Sequence, residues 1–269
     1  MMDKRIIIKV VVIVLLMVGI CDAAGCVKNR PACQAGKTNA DPVETILKRL
    51  KQQISNLDSY QCRIEYLFDQ PLFESKTLRT GVLYYQRTEK KSALRIDFQT
   101  LKQDDEKQQK YTEHFIFDGQ WLTVIDYQIK TVKMHQLAEP NEPVDAFELA
   151  SQNFPIIGFD RTEDLREQFE IKLVTQQETE LSEFIQLHLK VKPTSVYKDD
   201  YKTADFWIDR ASALPARITA VSTEGEIYQI KLLEPEVNKR IDKKVFEIRI
   251  PEGFTVEKRR LEKIKKKND

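Results

Sequence analysis

From Tyr60 to Phe68, the residues Tyr60, Cys62, Ile64, Tyr66 and Phe68 alternate with Gln61, Arg63, Glu65 and Leu67. A period of two places each set on one face of an extended chain, so this segment predicts a half-buried strand. The pattern returns with Leu94, Ile96 and Phe98 against Arg95, Asp97 and Gln99, then with Phe115 and Phe117. It returns again with Ile185, Leu187, Leu189 and Val191. Asp118-Gly119 reads as a tight hairpin turn between two such runs, and Glu224-Gly225 as another, joining 217–221 to 227–233. Lys102 to Lys110 is a polar excursion between strands. Roughly ten strands with mainly short connections predict a large antiparallel sheet.

Two stretches break the alternation. Val43, Ile46, Leu47, Leu50, Ile54 and Leu57 recur at spacings of three and four, the stripe of an amphipathic helix. Asp41 suits its N-cap, Pro42 its first turn, and Glu44 a capping-box spacing. Between Ala138 and Phe169 the chain is punctuated by Pro140, Pro143 and Pro155. That insert holds a short helical pattern from Val144 to Gln152, an apolar cluster of Phe154, Ile156, Ile157 and Phe159, and an Asp160…Glu163 capping pattern that opens another short helix. It cannot bury itself alone and must pack on the sheet. The expected architecture is mainly β with helices, of the α+β class. It is one curved antiparallel sheet with an apolar face, covered by an N-terminal helix and a mid-chain helical lid.

The N-terminus carries an address. Lys4 and Arg5 precede an apolar run whose uninterrupted part, Val10 to Ile20, is too short to span a bilayer and suits a signal-peptide core. Small residues follow, in Asp22-Ala23-Ala24-Gly25-Cys26. Two processing readings stand: cleavage after Ala23 or Ala24, or a lipobox in which Cys26 is acylated and becomes the mature N-terminus. Ordinary cleavage leaves Cys26, Cys33 and Cys62; lipidation leaves Cys33 and Cys62 to pair or stay free. Cys62 lies on the apolar side of its strand, which argues against pairing. The resulting map is a signal peptide over 1–25, a flexible tether over 26–40, a binding domain over 41–257 and a basic tail over 258–269. The chain is expected to be exported to the periplasm, with Cys26 as an anchor to the outer membrane in the lipidated case.

Charge and composition narrow the function. There are 43 Lys and Arg against 42 Asp and Glu, and removal of 1–25 leaves a formally neutral chain. A general nucleic-acid binder needs a basic excess, so none is expected as partner. The seven basic residues between Lys258 and Asp269 read as a solvated tail, or as a segment drawn to anionic head groups. Ala35-Gly36-Lys37-Thr38 lacks the Gly and the preceding strand of a phosphate-binding loop, since Pro31 stands in the Gly position. His114, His135 and His188 have no partners at metal-site spacing, and His114 and His188 fall opposite the apolar face as solvated surface residues. No Gly-x-Ser-x-Gly is present. No enzyme, no cofactor and no metal are expected.

What remains is an apolar concave face. Tyr66, Phe68, Tyr85, Phe98, Phe115 and Phe117 point to it, with Leu83, Leu94, Ile96 and Leu187 beside them. These residues form either a filled core or the lining of a cavity for an apolar ligand.

Three passages resemble the LolA/LolB family of bacterial lipoprotein carriers. They are Gly81-Val82-Leu83-Tyr84-Tyr85-Gln86-Arg87 with the following Leu94-Arg95-Ile96-Asp97-Phe98; Phe115-Ile116-Phe117-Asp118-Gly119-Gln120-Trp121-Leu122; and the closing set Asn238, Ile241, Phe246, Pro251, Gly253 and Val256. The resemblance runs from about Asp41 to Lys258. It implies an unclosed, strongly bent half-barrel whose helical lid covers a hydrophobic cavity for acyl chains. It also implies a monomeric carrier that takes acylated lipoproteins or lipids from a membrane-embedded loading partner. Arg87 takes the place of a strand Arg that hydrogen-bonds the lid in the empty state, although Thr88 stands where the family has Pro. Phe154, Ile156 and Ile157 would belong to that lid. With Cys26 acylated, the lipid-anchored acceptor of the family becomes the nearer analogue; an envelope lipid sensor or interaction protein without transport activity is the further alternative.

Overall fold

The computed structural model describes residues 41–88, 91–139, 142, 146, 162–174 and 183–261. Its strands are β1 (Ser59–Gln70), β2 (Ser75–Arg87), β3 (Ser92–Gln103), β4 (Gln109–Phe117), β5 (Trp121–Asp126), β6 (Thr131–Gln136), β7 (Phe169–Val174), β8 (Phe184–Val191), β9 (Tyr201–Asp209), β10 (Pro215–Ser222), β11 (Ile227–Val237) and β12 (Thr255–Arg259). They form one 12-stranded sheet in the order β12-β6-β5-β4-β3-β2-β1-β11-β10-β9-β8-β7. The sheet is open, with β12 and β7 at its edges. Neighbours are antiparallel throughout except at one edge, where β12 runs parallel to β6 with Thr255 beside Thr131. An all-antiparallel sheet was expected. The difference arises because the chain crosses the sheet between Val237 and Thr255 instead of turning back in a hairpin. β12 also takes in Lys258 and Arg259, the first residues of the segment read as tail.

Pairing converts the alternation into rows on one face. Tyr60, Tyr85, Leu94, Phe117 and Leu122 lie opposite one another across β1–β5, and Cys62, Leu83, Ile96, Phe115 and Val124 form the next row. The same core continues through Ile230, Ile218, Phe206 and Leu187 on β11, β10, β9 and β8. Gly81 marks a close approach: the β2–β3 register slips between Thr80 and Gly81. A Cβ at Gly81 would stand 2.0 Å from the Asp97 carbonyl oxygen, so no other residue fits without moving β3.

Two α-helices have described bounds, α1 (Pro42–Ser55) and α2 (Thr162–Gln168). Asp41 Oδ1 accepts from the Val43 N–H at 3.0 Å, and Val43, Leu47, Leu50 and Ile54 are buried on the sheet. α1 packs against β7 and α2, and its last turn meets Arg87 on β2. From β7 to β2 is six strand spacings, roughly 29 Å if flat, whereas 14 residues of helix extend about 21 Å. With the reach of the Arg87 side chain added, one helix touches both wings of the curved sheet.

The opposite face has a core of its own. Ile116, Ile125 and Val132 are buried there, with Tyr127, Met134, Ile248 and Phe254 packed on them. The cover is the segment between β11 and β12, which includes a 3₁₀ turn over Lys243–Phe246. Thus both faces of β5 are buried over Leu122–Ile125 and of β4 over its last residues, Phe115–Phe117, whereas on β6 only Val132 is buried.

Candidate ligand-binding face

The inner face is built by strand parity. Tyr66, Leu83, Tyr85, Leu94, Ile96, Phe98, Phe115, Phe117 and Leu187 are all buried in the main core, and Phe68 is partly buried against it. Their rings touch. Phe98 stands edge-on to Phe115 at 6.0 Å between centroids and 6.3 Å from Tyr66, while Phe68 stacks on Tyr228 at 5.0 Å. The proposed lining residues are therefore contiguous on one surface, except that Leu187 sits on the far wing of the sheet.

Two described elements cover this surface. One is α1. Arg87 Nη1 donates to the Ser55 carbonyl at 2.9 Å, and Arg87 Nε donates to Tyr85 Oη at 3.1 Å. Ser55 is the last residue of α1, where carbonyls lack helical partners and favour a cation. Arg87 thus ties the helix to β2 from the sheet side. Asn238 secures the same end of the helix. Its Nδ2 donates to the Asn56 carbonyl at 3.0 Å and its Oδ1 accepts from the Asp58 N–H at 2.8 Å. At the other end Arg166 of α2 pairs with Asp41. The second is Ala146, which is buried in the main core and donates its N–H to Ser92 Oγ at 2.6 Å. Phe154, Ile156, Ile157 and Cys26 lie outside the described residues.

The lower part of the inner face is polar. Glu113 and Arg79 occupy inward positions beside Phe98 and Tyr66, and Arg79 Nη1 donates to Glu113 Oε2 at 2.9 Å. Burial raises the Glu113 carboxyl above its ordinary range; the Arg79 charge opposes the shift and Asp126 adds to it. Cys62 is free and buried, and burial pushes its thiol up to about 12, which makes it an inert core residue.

The outer face holds a cleft of about 530 Å³ under the C-terminal segment, lined in part by Tyr84, Arg95, Asp97, His114, Tyr127 and Lys244. Arg95 Nε donates to both Asp97 oxygens at 2.7 and 2.9 Å, and its Nη1 donates to the Val245 carbonyl at 2.7 Å. His114 Nδ1 meets Asp97 and also lies 2.9 Å from Arg95 Nη2. His114 is therefore not a solvated surface residue, because the covering segment shields it. Burial works to raise the Asp97 carboxyl, but the hydrogen bonds and charges of His114 and Arg95 outweigh it and hold the group below its usual range. This group anchors the covering segment, a role the alternation pattern gave no sign of. Among the described residues no three His, Cys, Asp or Glu side chains converge, and no helix is long and apolar enough to cross a membrane.

No family model matches the chain, and no curated protein matches it. Solved structures similar in fold include an uncharacterized conserved protein from Thermus thermophilus, at 11% identity and TM-score 0.48, covering 81% of this chain and 100% of that one. Another is a chain of the Pseudomonas aeruginosa MucA/MucB complex, at 11% identity and TM-score 0.45, covering 77% of this chain and 61% of that one. A third is a LolA superfamily protein from Nitrosomonas europaea, at 12% identity and TM-score 0.34, covering 78% and 99%. At such identities and TM-scores these likenesses assign neither a family nor an activity to the chain.

Proposed function

We propose that the protein is an exported carrier that takes acyl chains, of lipoproteins or other lipids, onto the inner face of its open sheet and moves them between membranes. The observation that carries the reading is how this face is covered. A broad surface of aromatic and aliphatic side chains is covered, among the described residues, by α1, latched at its end through Arg87 and the Ser55 carbonyl, and by Ala146, not by a second sheet. The sequence resemblance expects Arg87 to bond the lid in the empty state; the contact seen is instead to the Ser55 carbonyl of α1, and the mid-chain lid residues Phe154, Ile156 and Ile157 lie outside the described residues. No bond-making step is involved. Each buried CH₂ contributes about 0.8 kcal/mol, so a long acyl chain gains roughly 10 kcal/mol. Loss of one charge-assisted hydrogen bond at the latch costs only about 1.5–3 kcal/mol. Unseating α1 also uncovers Val43, Leu47, Leu50 and Ile54, at about 1.5–3 kcal/mol each, so the gain from one acyl chain is comparable to the cost of moving the helix.

Native mass spectrometry of the protein expressed with its N-terminal segment and purified from a bacterial envelope tests this. The expected result is an added mass of lipid size that is lost on denaturation; a protein that is empty under all native conditions would sink the reading. The Ala23-Ala24-Gly25-Cys26 sequence favours a second form of the proposal, in which a Cys26-anchored protein acts as acceptor at the outer membrane. The mass of the mature N-terminal peptide separates the two, acylated at Cys26 for the acceptor and unmodified for the soluble carrier.

A further inference from the structure

Below Phe98 and Phe115 the inner face changes character. Arg79 reaches across β3 to Glu113, and Tyr111 Oη donates to the same carboxylate oxygen, Oε2, at 3.2 Å. The Glu113 side chain is 1% exposed and that of Arg79 14%. The Arg79 guanidinium lies over the Tyr111 ring at 5.1 Å and near the Phe98 ring at 6.0 Å, so aromatic rings flank the pair. Two polar atoms remain buried without any partner in the protein: Glu113 Oε1 and Arg79 Nε.

A buried acceptor and a buried donor left unpaired oppose folding, and an apolar pair of similar size would pack here without that penalty. Stability therefore gives no reason for the arrangement. Recognition gives one. The pair lies at the end of the apolar rows, where the polar end of a bound acyl lipid would come to rest. Its two orphan atoms ask for a ligand group with one acceptor and one donor. The surrounding charges also cancel, Arg79 and Lys133 against Glu113 and Asp126, so an ionic head of either sign would meet a like charge.

We propose that Arg79 and Glu113 form a head-group site on the inner face, selecting acyl ligands that end in an uncharged group with both an acceptor, for Arg79 Nε, and a donor, for Glu113 Oε1. A secondary amide or a hydroxyl-bearing ester has this chemistry; a carboxylate or a phosphate does not. The inference rests on the acyl-carrier reading and adds the class of ligand that it prefers.

The test is calorimetric titration of the exported protein with three probes of one chain length: palmitoylethanolamide, 1-monopalmitoylglycerol and palmitate. The two neutral probes are expected to bind more tightly than palmitate by roughly tenfold or more, the factor that follows from leaving a buried polar group unsatisfied. Whichever of the two is tighter tells whether the site prefers an amide or a hydroxy ester. Glu113→Gln keeps the shape, removes the negative charge, and is expected to narrow the gap by raising palmitate affinity. The double variant Arg79→Gln/Glu113→Gln leaves no unpaired ion and serves the same purpose if the single variant does not fold. Equal binding of all three probes, or a gap unchanged in the variants, overturns the head-group site and leaves the carrier reading standing. Failure of all three to bind overturns both.

Discussion

Gly81 is the position where a single methyl group should matter most. The β3 backbone passes so close that a Cβ would collide with the Asp97 carbonyl, and backbone cannot rotate aside as a side chain can. Gly81→Ala is expected to cost at least ~2 kcal/mol in urea denaturation; an unchanged midpoint would show that β3 yields more easily than its pairing implies. Cys62 makes the opposite prediction, of silence. With its thiol buried and its pKa pushed up to about 12, alkylation at about pH 8, below even an ordinary thiol pKa, should label Cys62 only after unfolding, as read by peptide mass spectrometry. Its burial was legible in the sequence, because its neighbours two residues away on both sides are apolar. The close approach at Gly81 was not, because it depends on a register slip between strands that no local pattern encodes.

At the scale of elements, α1 and the segment after Asn238 cover opposite faces, and an arginine of the sheet bonds a carbonyl of each. Arg87→Met removes the donor to the Ser55 carbonyl while keeping an apolar stem. Amide exchange over residues 43–57 should accelerate by roughly tenfold, the equivalent of one lost hydrogen bond. Unchanged exchange would mean that packing alone seats the helix and would deny Arg87 its latch role. On the outer face, Arg95 holds Val245 and is itself held by Asp97. The Asp97 carboxyl is depressed in the folded state, so its stabilisation is present above the unfolded value, about 3.9. It is lost as the pH falls through the lower folded value. Exchange over residues 241–254, corrected for intrinsic rates, should therefore rise in acid below about pH 4. In Asp97→Asn the same segment should already be loosened at neutral pH. The helix was legible from its cap and stripe. The outer anchor was not, since Arg95 and Asp97 look like ordinary solvated positions until the chain returns from residue 238 to cover them.

For the molecule as a whole, the order of strands matters more than their number. The chain lays β1–β6 outward in one direction from the centre and β11–β7 in the other, so the two wings of the sheet are joined by the β1–β11 pairing and bridged by α1. The C-terminal segment then travels back over β3–β6 and adds β12 beside β6. Truncation after Asn238 removes this cover and exposes Ile116, Ile125 and Val132. Thermal denaturation of the truncated protein should show a lower midpoint and earlier aggregation than the full chain; matching curves would show that the outer core is dispensable.

Sequence alone determined which residues share a face, because parity in a strand and spacing in a helix are local geometry. That is why the apolar face from Tyr66 to Phe117, the capped helix at Asp41 and the hairpin at Asp118-Gly119 could be read directly. The tertiary structure alone decided what lies on each face. It placed Arg79 against Glu113 across an intervening strand, Arg87 under the end of α1, and Arg95 beneath the returning C-terminus. These contacts join residues 34, 32 and 150 positions apart, and such pairs are chosen by strand order and sheet curvature, which no short stretch of sequence contains.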